Sequence, residues 1–210
     1  MAKLVWGTPG EKFFESGIDR GVLYVDGAGY VWNGLTSVQH SPSGGDPQPF
    51  YLDGYKYVQI SATEDFEATL EAFSSPREFG PCDGSTELYS GLTVTQQKRK
   101  QFSLSYRTRV GVDLQGLDLG YKIHLVYNAL AAPSSRNHQT IGQDTPLTTL
   151  SWQISTQPPQ ATGFRPTSHF VVDTRRTTSG RVTTLEDILY GTVSLAPRFP
   201  TVAELLAIFA

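Results

Sequence analysis

The sequence predicts a mainly β protein, a β-sandwich or half-barrel with one packed short helix, and three observations carry that expectation. The first is the stretch Gln101 to Pro133. In it Phe102, Leu104, Tyr106 and Val110 alternate with Ser103, Ser105, Arg107 and Arg109, and Tyr121, Ile123, Leu125 and Tyr127 alternate with Lys122, His124 and Asn128. Period two is strand spacing, so the two runs read as the arms of a long hairpin, each burying one face. The second is composition: 20 glycines, 13 prolines and 10 tyrosines in 210 residues favour many short strands joined by generous turns. The third is the scarcity of long helix-forming windows. A chain of this length is ample for a real core and reads as a single domain over 1–210.

Between the two arms, residues 111–120 read as an interaction loop. Its glycines and aspartates turn easily, yet it carries Val112, Leu114, Leu117 and Leu119. Ten residues exceed what a hairpin needs, and the aliphatics call for a cover.

The N-terminal segment, residues 1–17, is apolar without period: Trp6, Phe13 and Phe14 lie among Gly7, Pro9 and Gly10. It reads as an extended arm packed either into its own core or on a neighbouring subunit. Short strands follow at Gly21 to Val25, Tyr30 to Trp32, Leu35 to Val38 and Tyr55 to Ile60. Residues 41–54, SPSGGDPQPFYLDG, read as a second long loop whose Phe50, Tyr51 and Leu52 order against a partner. Glu64 to Pro76 suits a helix, with Ser61 and Glu64 as a capping box, and equally a strand. Its strand-like surroundings favour the strand, which puts Glu67 and Glu71 in an acidic row able to neighbour Arg107 and Arg109 in one sheet.

Glu78 to Ser90 reads as loop and Gly91 to Thr95 as a short strand. Lys98, Arg99 and Lys100 read as a solvated turn or ion-pair edge. A polar loop is expected over Pro133 to Pro146, and strands over Leu150 to Ser155 and His169 to Asp173. Thr183 or Thr184 is expected to cap a short helix ending at Gly191. Residues 201–210, TVAELLAIFA, make an apolar C-terminal tail whose Leu205, Leu206 and Phe209 dock on their own sheet or on a neighbour.

No reaction chemistry is marked in the chain. A formal charge of −3 lacks the basic footprint of a nucleic-acid binder. The lone Cys82 excludes an intrachain disulfide and reads as a buried free thiol. His40, His124, His138 and His169 offer no paired metal-ligand spacing on one element, and HExxH, CxxC and GxSxG motifs are missing. The adjacent acids Glu64 and Asp65, and Glu186 and Asp187, read as solvated carboxylates. No catalytic residue, cofactor or metal is therefore expected. The first residues carry no apolar leader, and no run nears the roughly eighteen apolar residues of a membrane span, so a soluble cytoplasmic protein is expected.

The segments GIDRGVLYVDGAGYVWNGLTSV (17–38), SPSGGDPQPFYLDGYKY (41–57), EDFEATLEAFSSPREFGPCDG (64–84), LSYRTRVG (104–111), GYKIHLVYNALAAPSSRN (120–137) and LEDILYG (185–191), in this order, resemble the major tail protein family. This is the tail tube subunit of long-tailed bacteriophages infecting actinobacteria. The resemblance implies a subunit assembled in the host cytoplasm and resident in the virion tail, six copies to a ring, with rings stacked into a tube. Implied partners are other copies of the chain, the tape measure, tail tip and tail terminator proteins, and DNA only in passage, with no membrane. On that basis Trp6, Phe13, Phe14, Phe50, Tyr51, Leu52, Leu114, Leu117, Leu119, Leu205, Leu206 and Phe209 become candidate subunit contacts. DNA must slide without sticking, and the polar face with Arg107, Arg109, Lys122 and His124 is basic. Either that face points away from the channel or, the preferred reading, Glu67 and Glu71 neutralise it across the sheet. A different reading makes the chain a β-sandwich binding module for carbohydrate or protein, with Trp32, Tyr51 and Tyr57 as its aromatic platform. An unmarked hydrolase is a third.

Overall fold

The structure is a computed structural model that describes residues 3–60, 63–136, 138, 140 and 147–210. Its strands are β1 (Phe13–Val25), β2 (Ala28–Val31), β3 (Leu35–His40), β4 (Ser43–Gly44), β5 (Gln48–Leu52), β6 (Tyr55–Ile60), β7 (Glu64–Asp65) and β8 (Glu67–Ala72). A 3-10 turn and the short helix α1 (Gly80–Asp83) lead to β9 (Thr86–Tyr89), β10 (Leu92–Val94), β11 (Phe102–Val112), β12 (Gly116–Ala131), β13 (Leu150–Thr156) and β14 (His169–Asp173). Helices α2 (Ser179–Tyr190) and α3 (Val202–Phe209) close the described chain. The expected mainly β class is observed, with two helices packed on the sheet where one was expected.

Eight strands form one antiparallel sheet in the order β2-β1-β11-β12-β13-β8-β3, with β14 also paired to β12. The hairpin β11–β12 is its spine. β12 is long enough to serve two partners on one edge: Lys122 to Val126 pair with β14, and Ala129 to Ala131 pair with β13. The switch falls at Asn128, whose φ of 49° is left-handed, a conformation asparagine tolerates better than most residues. There the strand bends and the sheet divides into two layers.

Leu23, Trp32, Leu70, Leu104, Tyr106, Val126 and Trp152 fill the space between the layers. On the outer face of the spine Val22, Tyr24, Ile123, Leu125 and Val172 meet Val182, Leu185 and Leu189 of α2 and Leu205 of α3. β1 supplies both cores by alternation, Leu23 and Val25 inward, Val22 and Tyr24 toward the helices. The spine strands are thus buried on both faces, where the alternation predicted one. On the helix side the Tyr24 hydroxyl donates to the Leu189 carbonyl at 2.9 Å and lies 3.2 Å from Ser105 Oγ, whereas the buried hydroxyls of Tyr127 and Tyr190 have no partner among the described residues.

Several boundaries differ from expectation. The ten-residue loop 111–120 is a continuation of the hairpin: Val112 faces Gly116, and only Asp113 to Gln115 turn. Gly111 is there for packing, since a Cβ would sit 2.5 Å from the Phe14 ring. The arm 1–17 is part strand, because Phe13 and Phe14 pair with Val112 and Gly111 in β1–β11. Of residues 64–76, read as strand, 64–65 and 67–72 are strand, broken at Phe66 and paired in different sheets, while 73–76 are not. The Ser61 cap and Asn137, Gln139 and 141–146 of the polar loop lie outside the described residues. Helix α2 starts one turn before Thr183, with Thr178 at its N-cap, because Val182 already belongs to the buried stripe with Leu185 and Leu189.

The C-terminal tail is a helix docked on its own chain. Thr201 Oγ1 accepts from the Glu204 N–H at 3.2 Å while the Glu204 carboxylate accepts from the Thr201 N–H at 2.8 Å, a capping box. Arg198 forks onto the same carboxylate at 2.8 and 2.9 Å. The Arg198 bonds, then the Thr201 N–H, hold the Glu204 pKa at about 2. A depressed carboxylate pKa contributes stability above its unfolded value, and that contribution is lost as pH falls through the folded value. Glu204→Gln, which keeps an amide oxygen for the Thr201 N–H and loses the charge, is therefore expected to lower stability by up to about 1 kcal/mol near neutrality, where the exposed ion pair with Arg198 acts. Thermal melts at descending pH should show this gap closing toward about pH 2. A gap that persists unchanged in acid would show that the Glu204 charge does not account for it.

Candidate assembly surfaces and a histidine cluster

Residues 48–60 form a hairpin of their own. Leu52 faces Tyr55 across the two-residue turn Asp53–Gly54, whose φ values of 50° and 82° match the twist of a tight hairpin. Neither strand joins another sheet among the described residues, and every residue of β5 and β6 is exposed. Phe50, Tyr51, Leu52, Tyr55, Tyr57, Val58 and Ile60 therefore present apolar surface on both faces, Tyr55 being 79% exposed. An isolated two-stranded hairpin is marginal in water, and apolar residues on both its faces require a cover. Residues 41–54 are thus only partly the irregular loop expected of them. The Asp53–Gly54 pair between apolar runs was the signal for a hairpin.

Three further apolar surfaces stand open. The hairpin β9–β10, in a region read from sequence as mostly loop, exposes Leu88, Tyr89 and Leu92. The tip of β11–β12 exposes Leu114 and Leu117 beside Phe13 and Phe14, while Leu119 is half-buried. The preceding segment exposes Leu4, Val5 and Trp6. Of the residues taken as subunit contacts, Leu205, Leu206 and Phe209 are the exceptions. They pack on the cluster that holds α2 and the sheet, since α3 turns its apolar stripe inward. With Phe170 and Val172 they line a cleft of about 440 Å³.

The charge row is corrected as well. Directly opposed residues of an antiparallel pair share a face, and Arg107 and Arg109 oppose Ile123 and Tyr121 while Lys122 and His124 oppose Thr108 and Tyr106. The four basic groups are therefore split between the two faces of the spine. Two strands, β12 and β13, separate Arg107 and Arg109 from β8. Glu67 instead accepts from Ser43 Oγ at 2.8 Å and Glu71 from Ser37 Oγ at 2.9 Å. Neutralisation comes from β1 and α2: Arg107 donates twice to Asp19, at 2.8 and 3.0 Å, and approaches Glu186 at 3.7 Å. Arg109 reaches Asp19 at 3.2 Å and Lys122 pairs with Glu15. The bonds from Arg107 pull the Asp19 carboxyl below its ordinary range. Lys100 pairs with Asp26, and Arg99 with Asp83, as an ion-pair edge.

Trp32 and Cys82 lie in the interior. Trp32 is 2% exposed and its indole N–H donates to the Ser74 carbonyl at 2.8 Å, so it forms no surface platform with Tyr51 and Tyr57. Burial pushes the Cys82 thiol up to about 12, which leaves it unreactive.

Three histidines that share no local spacing meet in space: His40 from β3, His124 from β12 and His169 from β14. One ring nitrogen from each lies within 4.8 Å of the others. His124 Nδ1 and His169 Nε2 share a hydrogen bond of 3.2 Å, while His124 Nε2 meets Thr108 Oγ1 at 3.0 Å. The Tyr106 hydroxyl holds His40 Nε2 at 2.6 Å. Tyr106 stacks on His124 and Phe66 on His169, with ring centroids 4.6 and 4.5 Å apart. Burial, followed by the neighbouring imidazoles, lowers His124 to about 4 and His169 to about 3, and burial lowers His40. At neutral pH all three rings are uncharged and keep a lone pair. Sequence inspection missed the cluster because each member sits on a different strand.

No helix among the described residues is long and apolar enough to cross a membrane. No protein-family model and none of the curated proteins matches the chain. Among solved structures the chain is similar to the sheath/tube terminator of an extracellular contractile injection system, PVC, in its extended state. The identity is 11%, the coverage 81% of this chain and 99% of that one, and the TM-score 0.37, a likeness too low to carry an argument about fold or function.

Proposed function

We propose that this chain is a structural subunit of a phage tail tube, without catalytic activity, whose copies form hexameric rings that stack into a passive conduit for DNA. The observation that carries this reading is the hairpin of residues 48–60, with seven large apolar residues exposed on two faces and no strand partner outside itself among the described residues. A second copy of the chain is the occupant that a self-assembling tube supplies, covering hairpin, ribbon tip and N-terminal segment together. The resemblance of the segments between residues 17 and 191 to tail tube subunits supports the same occupant. The pairing of Arg107, Arg109 and Lys122 with acids of their own chain also suits a conduit, because neutralised cations hold phosphate weakly. Tape measure, tail tip and tail terminator proteins are the further partners of this reading, and the virion tail its location. The binding-module alternative loses its platform with Trp32 buried.

Negative-stain electron microscopy with sedimentation across a concentration series tests the proposal. Rings or tubes with a central hole are expected. A monodisperse monomer that also fails to extend from added tail tips would overturn it.

A further inference from the structure

We propose that His40, His124 and His169 form a binding site for a divalent transition ion of the zinc class, which fastens the terminal strand β3 of the sheet to its spine.

The donor set fits such an ion. Neutral imidazole is a preferred ligand of zinc, nickel and copper, and three imidazoles leave a fourth position for water. Zinc to nitrogen bonds of about 2.0–2.1 Å in a tetrahedron place ligand nitrogens about 3.3–3.4 Å apart. His124 Nδ1 and His169 Nε2, at 3.2 Å, already stand near that separation. Their contact is an N–H···N bond, so ligation transfers its proton to the other nitrogen of His169 through solvent, with no net proton released. His40 is the exposed member, on the strand that ends the sheet, and it closes in by roughly 1.5 Å to complete the set.

The surroundings orient the rings as outer partners of ligands do. Thr108 occupies His124 Nε2 and in turn contacts the Glu15 carboxylate, leaving Nδ1 to face His169. Tyr106 pins His40, and the stack of Tyr106 on His124 and Phe66 on His169 fixes the planes. Exposure of His40 supplies the entry path. The three ligands come from β3, β12 and β14, so the ion joins layers that are connected in the sheet only through β13 and β8.

The test uses the full chain stripped with a chelator, then titrated with Zn²⁺ by calorimetry and with Co²⁺ by visible absorption. One ion per chain is expected, with the intense visible bands of four-coordinate Co²⁺ and a rise in melting temperature. His40→Ala removes an exposed ring that also meets the buried Tyr106 hydroxyl, so circular dichroism is used to check its fold; it should weaken binding at least about tenfold, as should His169→Ala. His138→Ala is the control and should bind as the parent does. Failure of the parent to take up stoichiometric metal overturns the proposal, and so does uptake that neither His40→Ala nor His169→Ala diminishes. Both readouts are made on dissociated protein, so they stand apart from tube formation.

Discussion

Replacing Phe50, Tyr51, Leu52, Tyr55 and Tyr57 together with serine is expected to abolish self-association while leaving the subunit folded. The two halves of this expectation come from the same fact. These side chains touch neither core, so their loss takes little from the subunit's own stability, and its melting temperature should stay close to that of the parent. In an assembly, each side chain that is fully covered contributes about 1.5–3 kcal/mol, and the contribution recurs in every copy of the contact. Five lost anchors per subunit are therefore comparable with the whole affinity of an ordinary interface, about 8–12 kcal/mol for micromolar to nanomolar binding. Sedimentation and electron microscopy report association, and thermal denaturation reports the fold. Tubes that form undiminished would remove the hairpin from the assembly surface. A variant that unfolds would show the hairpin to be part of the subunit's own structure. The single change Asp53→Pro, which blocks the left-handed φ of the turn, should weaken association in the same direction without touching an apolar contact.

What was legible in the sequence was local. The alternation from Phe102 to Val110 and from Tyr121 to Tyr127 places the spine strands correctly because strand periodicity depends only on neighbours in the chain. The strand at Glu67 to Ala72 could be preferred over a helix for its context alone. Features that depend on distant partners were not legible. Nothing near Arg107 announces that Asp19, 88 residues away, will cover it, so a face buried by α2 looked like a solvent face. His40, His124 and His169 are brought together by strand order, which no spacing rule detects. Gly111 and Gly116 looked like loop formers. One is small to admit Phe14 and the other turns with φ 62° at the end of a three-residue connection. The apolar tail illustrates the remaining ambiguity: TVAELLAIFA carries both a capping box and a continuous apolar stripe, and only the packing against Val172 and Val182 decides that it docks at home.

Arg107→Ala is expected to destabilise the subunit by about 3 kcal/mol, against less than about 1 kcal/mol for Arg109→Ala, although the two stand two residues apart on one face. Their surroundings set the difference. The Arg107 side chain is 9% exposed, lies over the Tyr121 ring at 4.3 Å and bridges Asp19 of β1 to Glu186 of α2. The Tyr121 hydroxyl donates to that same Glu186 at 2.9 Å, so the guanidinium is the central charge of a four-residue network joining sheet to helix. Removing it leaves two carboxylates facing each other across the helix–sheet seam and opens space over the tyrosine ring. Arg109 still reaches Asp19 and Arg20 still approaches Glu186 at 4.0 Å, which keeps the loss at the low end for a buried pair. Arg109 is 49% exposed, and water replaces most of what it contributes. Arg107→Lys should recover only part of the loss, because an ammonium cannot fork onto Asp19 and face Glu186 at once. Urea denaturation of the three variants at neutral pH provides the measurement. Equal losses for Arg107→Ala and Arg109→Ala would mean that the seam between α2 and the spine is held by its apolar side chains alone. In that case the network would serve to neutralise the spine and would add nothing to its stability.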